Sequence, residues 1–140
     1  MSFKAATPSV LFVCVKNGGK SQIAAGLMDR VAGGAVASAS AGSKPGSAVN
    51  GLSAEVLAEL GIDISRNMPR RITREDQERA DLVVVLGAEA QVDEVDGTLY
   101  ERWETDEPGE RGIEGIERMR LVRDDILERV TALHAALTRR

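Results

Sequence analysis

Residues 10–24 read VLFVCVKNGGKSQIA, and three kinds of local structure follow one another within them. Ser9 to Cys14 is a short, branched apolar run that stops at a glycine-containing segment, the pattern of a buried strand. From Ser21 to Val31, the residues Ile23, Leu27, Met28 and Val31 recur at helical spacing, and Gly33-Gly34 supplies a stop. Val15 to Lys20 form the loop between them. The alternation continues outward from this unit. Val36 to Ser40 reads as a second strand of small residues, and GSKPGSAVNG, residues 42–51, as turn chemistry. A further helix runs from a Ser53 cap to Leu60, with Gly61 as its stop. Thr73 and Asp76 open a short helix with a capping box in which Asp replaces the usual Glu. LVVVL, Leu82 to Leu86, is the clearest central strand, and Leu99 to Trp103 is a less apolar one nearer an edge. The last helix starts near Ile113 and runs towards Leu137; Ile116, Met119, Val122, Ile126, Val130, Leu133 and Leu137 recur at spacings of three and four. Strands alternating with helices predict an α/β layer fold with a parallel sheet and helices on both faces, as one domain over residues 1–140. In such sheets a ligand sits beyond the carboxyl ends of the strands, and the loop 15–20 falls there.

The loop has the composition of an oxyanion cradle. None of Val15, Lys16, Asn17, Gly18, Gly19 and Lys20 is proline, so each carries a backbone N–H. A loop wound above a helix N-terminus turns such donors towards one point. Gly18 and Gly19 permit φ > 0 and close approach of backbone to ligand. Asn17 is among the few other residues that tolerate the left-handed region. Lys16 and Lys20 add positive charge. Two patterns lie one residue away. G-x4-G-K-S, which holds nucleotide phosphates, needs glycine where Cys14 stands; it also needs an acidic residue after an apolar strand, whereas Asp81 precedes LVVVL. C-x5-R-[ST], the loop of cysteine-dependent phosphatases, needs arginine where Lys20 stands, and this reading uses every residue of the loop. The thiolate is the nucleophile, and a helix N-terminus with nearby cations favours it. Ser21 is placed to donate its hydroxyl to the Cys14 sulfur. A proton donor for the departing oxygen is also required. WETDEPGERGIEG supplies Asp106 and Glu107 just before Pro108, after the fourth strand and so at the same edge.

Bulk properties narrow the function classes. The 140 residues are 43% hydrophobic and 29% charged, ordinary for a soluble globular chain. A net charge of -4 gives no electrostatic case for nucleic acid, so an anion site must be local. No apolar run approaches the ~20 residues of a membrane span, and the run after MSFKAATPS is too short for a signal peptide. A cytosolic protein is expected. Cys14 is the only cysteine, which excludes an intrachain disulfide. His134 in the last helix reads as a flank residue, Arg70 and Arg71 as a solvated charged loop, the methionines as core, and Trp103 as packing beside the acid loop.

These motifs together resemble the low-molecular-weight protein tyrosine phosphatase superfamily. The C-x5-[RK]-S loop, Ser40-Ala41-Gly42, GIDIS (61–65), Met68-Pro69-Arg70, ADLVVVLG and Trp103-x3-Glu107-Pro108 match in order along most of the chain. The fold implied is a four-stranded parallel sheet flanked by helices. CVKNGGKSQ and WETDEPGERGIEGIERMRLVRDDI look most like the arsenate-mycothiol transferases, arsenate reductases that use an external thiol. The resemblance implies arsenate as substrate, mycothiol as co-substrate, mycoredoxin as the later reductant, and a detoxifying role, with no bound cofactor. Three departures from the wider superfamily matter. Lys20 is a point charge where arginine offers a planar fork. There is no second or third cysteine of the kind through which thioredoxin-coupled relatives relay the reaction. Ala25 stands where some relatives carry a glutamate that helps bind potassium, so no metal site is carried over. The family's acid precedes proline directly, where this chain has Glu107; Asp106 keeps the residue type one place earlier, and both remain candidates.

The expected activity is therefore transfer of arsenate from Cys14 to mycothiol. Cys14 is the nucleophile, residues 15–20 hold the oxyanion, Ser21 supports the thiolate, and Asp106 or Glu107 is the acid. One alternative is a phosphatase acting on phosphotyrosine or phosphoarginine. It should want arginine at position 20 and an aromatic-walled slot, and only 3% of the chain is aromatic. Another is a non-catalytic oxyanion-binding module.

Overall fold

A computed structural model describes residues 2–139. Its sheet has four parallel strands in the order β2-β1-β3-β4, where β1 is Ser9–Cys14, β2 Ala37–Gly42, β3 Leu82–Leu86 and β4 Leu99–Trp103. The helices are α1 Lys20–Ala32, α2 Gly51–Ala58, α3 Arg74–Arg79 and α4 Gly115–Thr138. Alternation along β1 separates two cores. Val10 and Phe12 face a large one completed by α1, α2 and α4, including Ile23, Leu27, Met28, Leu57, Val122 and Ile126. Leu11 and Val13 face a smaller one with Ala41, Val83, Val85, Ala80 and Ala90, on the side of α3. The expected four-stranded parallel sheet with helices on both faces is the fold observed.

Several boundaries differ from expectation, each for a local reason. The second strand is shifted to Ala37–Gly42 because its register continues beside β1 as far as Cys14↔Gly42. Asn50, and not Ser53, caps α2. Its side chain accepts from the Ser53 backbone N–H at 3.0 Å and from the Ser53 hydroxyl at 3.2 Å. The last helix begins at Gly115 rather than near Ile113. Pro108–Arg111 form a 3-10 turn first, and Gly112 and Gly115 adopt φ of 79° and 66°, which redirects the chain. Met28 and Met119 are core, but Met68 is 70% exposed in the loop after α2; Met1 lies outside the described residues. The Thr73–Asp76 capping box forms as read.

The two ends of the sheet differ in chemistry. At the amino end Asp81 accepts from the backbone N–H groups of Lys4 and Ser9 at 2.7 and 2.9 Å. That carboxylate pins the start of β1 and is far from any role beside the loop. At the carboxyl end, β1 and β3 are neighbours whose onward connections diverge, to β2 on one side and β4 on the other. This is the position at which open α/β sheets form a crevice.

Candidate active site

The loop after β1 is held from outside by its carbonyls. Ser43, Lys44, Gly46 and Asn50 donate backbone N–H bonds to the carbonyls of Cys14, Val15, Lys16 and Gly18, at 2.7 to 3.0 Å. The turn segment 42–51 is thus a strap that receives these oxygens. Among the described residues, no backbone N–H from Val15 to Lys20 donates to a protein oxygen in these loop contacts. With the carbonyls taken up on one side, the loop's donors are left for a ligand. Gly42 lies tight beneath this curve. A Cβ there would stand 2.7 Å from the Val15 carbonyl oxygen and 3.0 Å from the Asn17 backbone nitrogen.

The glycines of the loop do not use the left-handed region. Asn17 does, with φ 53°, and it is the only non-glycine residue at positive φ among the described residues. Gly19 has φ −136° and ψ −100°. At Gly18 the need is space, since a Cβ would come within 3.0 Å of the Ala48 carbonyl. Of the two freedoms the sequence offered, φ > 0 is not used at Gly18 or Gly19, and close packing is used at Gly18.

Behind the loop, Cys14 is attached to a buried polar network. Its Sγ lies 2.9 Å from Ser21 Oγ, and Asn17 Nδ2 donates to that same oxygen at 2.7 Å. The Asn17 amide cannot be turned over, because its Oδ1 accepts from the Arg70 backbone N–H at 3.0 Å and from Gln22 Nε2 at 3.3 Å. Ser21 Oγ thus accepts from Asn17, which leaves its own hydrogen for the sulfur. Asn17 and Ser21 are fully buried and Cys14 is 8% exposed.

A cavity of about 780 Å³ opens over the thiol, and Cys14, Val15, Lys20, Leu86, Gly87 and Glu107 are in its lining. Lys20 Nζ, close to Gly87, donates to Glu107 Oε1 at 2.5 Å. Asp106 is not in that lining. Arg111 donates to both Asp106 carboxylate oxygens at 2.8 and 3.1 Å, and the Asp106 backbone N–H donates to Asp125 in α4 at 2.8 Å. The Arg111 guanidinium holds the Asp106 carboxyl below its usual range. Of the sequence-derived residues, the structure gathers Cys14, Val15, Lys20 and Glu107 at the cavity. Asn17 and Ser21 lie behind it, and Lys16, Gly18 and Gly19 line a second cavity of about 500 Å³ on the far side of the loop.

Arg70 and Arg71 are committed elsewhere. Arg70 forks onto Asp76 at 2.8 and 3.1 Å, and Arg71 donates to the Ser43 carbonyl at 3.3 Å. Trp103 packs on Phe12 with ring centroids 5.9 Å apart. His134 is half-buried on α4, away from the cavity lining. Among the described residues no group of three or more His, Cys, Asp or Glu stands where it could hold a metal ion, and no helix is long and apolar enough to cross a membrane. Two contributions escaped the sequence. The strap 43–50 carried only a turn signal. Arg118, which lines both cavities, sits in the first turn of α4 with no local pattern to mark it.

A parallel sheet with a lone thiol beneath a loop of unengaged amides defines a class: α/β proteins with a cysteine at the floor of an anion-cradling loop. The chain belongs to the low molecular weight phosphotyrosine protein phosphatase family, whose model matches residues 9–140. It is 30% identical over 132 residues to a glutaredoxin arsenate reductase of Synechocystis, covering 92% of this chain and 98% of that protein. It is 32% identical to a thioredoxin-dependent arsenate reductase of Corynebacterium glutamicum, with a TM-score of 0.80 over 96% of this chain; the match spans 63% of that protein's length. An arsenate reductase solved in a phosphate-binding state matches at 28% identity and a TM-score of 0.79, over 94% of this chain and all of the other.

Proposed function

We propose that this protein is an arsenate reductase that works as a transferase, passing arsenate from Cys14 to an outside low-molecular-weight thiol. The observation that carries the reading is a single cysteine under a loop whose amide hydrogens are unengaged. Reduction of As(V) to As(III) takes two electrons, which two thiols supply in becoming a disulfide. One cysteine cannot do this, so the second sulfur comes from outside. The arsenate reductases similar to this chain support the oxyanion, and the likeness of CVKNGGKSQ and the acid loop to arsenate-mycothiol transferases supports mycothiol as that thiol.

In the first step the Cys14 thiolate attacks arsenic, an S–As bond forms and an As–O bond breaks. The amides of residues 15–20 and the Lys20 charge stabilise the oxygens as negative charge redistributes. When Lys20 turns from Glu107 to the bound oxyanion, the Glu107 carboxyl that lines the cavity is released to act as the acid and gives its proton to the departing oxygen, which leaves as water. Asp106 is less suited to that task, because it lies outside the cavity lining with Arg111 on both of its oxygens. In the second step the outside thiol's sulfur attacks arsenic and its proton goes to Glu107. The Cys14–As bond breaks and the thiolate returns. Arsenic remains As(V) throughout, now as a thiol conjugate. Reduction follows on a separate protein, of mycoredoxin type. Its thiolate attacks the conjugate's sulfur, the S–As electron pair stays on arsenic, and a mixed disulfide and arsenite result.

The test is an assay with arsenate, mycothiol, mycoredoxin and its reductase, read as NADPH consumption. Cys14→Ser and a phosphotyrosine hydrolysis assay run alongside. The reading expects arsenate-dependent consumption that needs mycothiol and is abolished in Cys14→Ser. Thiol-independent phosphate release with no arsenate turnover would sink it. Arsenate binding without either activity would favour a binding module.

A further inference from the structure

The cation that the loop itself provides is already engaged. Lys20 Nζ sits on Glu107 at 2.5 Å, so its charge is largely offset before any ligand arrives. The same cavity also presents Glu89, Glu110 and Glu114, and a tetrahedral dianion entering past them meets like charge. One further cation faces this space. Arg118, on the first turns of α4, is half-buried and lines the cavity over Cys14 and the second cavity behind Gly18 and Gly19. Among the described residues its guanidinium has no ion-pair partner and donates no hydrogen bond. Glu114, one helical turn earlier, and Glu110, in the same lining, both leave it free. Its stem runs beside Gly109 of the 3-10 turn, where a Cβ would stand 3.5 Å from Arg118 Nε and 3.8 Å from Cδ. A half-buried guanidinium without a carboxylate, between two faces of an anion loop, is a donor fork waiting for an acceptor.

We propose that Arg118 is an oxyanion-binding residue of this site, and supplies from α4 the planar guanidinium that Lys20 does not offer from the loop. The proposal rests on the oxyanion reading of the Cys14 loop. Lys20 provides a point charge shared with the acid, while Arg118 provides a planar guanidinium with no carboxylate in ion-pair contact among the described residues. Arginine at the loop position is thus replaced by arginine from a helix, across the cavity from it.

Equilibrium binding of inorganic phosphate and of arsenate to the full chain, followed by calorimetry, tests this without requiring turnover. Steady-state KM values for arsenate and for mycothiol complete the set. Arg118→Ala should weaken phosphate and arsenate binding about tenfold or more, as expected for loss of hydrogen bonds to a charged group. Arg118→Lys should recover part of the affinity. The KM for arsenate should rise while that for mycothiol and the thermal midpoint stay near wild type. Unchanged anion affinity in Arg118→Ala overturns the proposal. So does a rise confined to the KM for mycothiol, which would place Arg118 on the thiol, and so does a wild type that binds neither anion. Should Arg118→Ala not fold, Arg118→Gln carries the same comparison. If wild type binds phosphate and Arg118→Ala does not, but arsenate is never turned over, the reductase reading falls and the assignment of Arg118 stands.

Discussion

Ser21 is the residue through which the loop acts on its thiol. Its oxygen accepts from Asn17 Nδ2 at 2.7 Å and lies 2.9 Å from Cys14 Sγ, so its own hydrogen is available to a charged sulfur. Ser21→Ala should therefore slow alkylation of Cys14 by iodoacetamide at neutral pH by about tenfold, with a modest change in thermal midpoint. A variant alkylated at the wild-type rate would show that the hydroxyl does not support the nucleophile. Asn17 combines two roles that substitution can separate. Asn17→Gly removes the amide but tolerates φ 53°, whereas Asn17→Ala also strains the backbone. Both should lose activity, and Asn17→Ala should be the less stable by about 1 kcal/mol in chemical denaturation. Equal stabilities would contradict the strain argument. These residues were legible in the sequence because they are contiguous and chemically distinctive. The difference between Asp106 and Glu107 was not, since it lies in their placement: Glu107 lines the cavity beside Lys20, while Asp106 is turned onto Arg111, five residues away. Arg118 was illegible because only the packing of α4 against the 3-10 turn brings it to the cavity.

At the scale of elements, the loop depends on a close fit between the end of β2 and the strap that follows. Gly42 is where β2, the loop and the segment 70–72 meet. It donates to the Arg70 carbonyl at 2.8 Å and accepts from Ile72 at 2.9 Å, with the Val15 carbonyl just above. A methyl group there forces backbone apart. Gly42→Ala should destabilise by about 1–3 kcal/mol and reduce activity beyond what the lost stability accounts for, because the displaced atoms belong to the loop. Wild-type activity and midpoint in Gly42→Ala would show that the loop yields without consequence. Hydrophobic period and glycine stops revealed the four strands and the helices α1, α2 and α4, and the Thr73–Asp76 capping box revealed α3, since those signals are local. The strap 43–50 reads only as Gly, Ser and Pro because its function resides in backbone donors, which carry no side-chain signature. The 3-10 turn was likewise unread, and the positive-φ Gly112 and Gly115 that follow it delay the start of α4.

For the whole molecule, the carboxyl edge of the sheet gathers the candidate site residues while the net charge is -4, so the proposed anion has to be held by local donors against an unfavourable overall field. The helix layer behind the site is tied together by Glu59 at the end of α2, which accepts from Arg120 at 2.6 Å and from Arg123 at 2.8 Å on α4. The Arg120 hydrogen bond, with that of Arg123, holds the Glu59 carboxyl down to about 2, against an ordinary value of 4.5. A depressed carboxylate contributes stability that is fully present above its unfolded value and is lost as pH falls through the folded one. The thermal midpoint should thus decline as pH drops from about 4.5 to about 2. Glu59→Gln should be less stable at neutral pH and flatten part of that decline; an identical pH profile in the variant would remove Glu59 from the account.

If, as proposed, Cys14 hands arsenate to a thiol from outside, product forms without any reductase. Wild type and Cys14→Ser are incubated with arsenate and mycothiol, with no mycoredoxin and no NADPH, and the products are read by mass spectrometry. The account predicts that an arsenic(V)–mycothiol conjugate accumulates over many turnovers with wild type, and that none forms with Cys14→Ser. Conjugate formed equally by Cys14→Ser, or none formed by wild type while phosphotyrosine is hydrolysed, would contradict it.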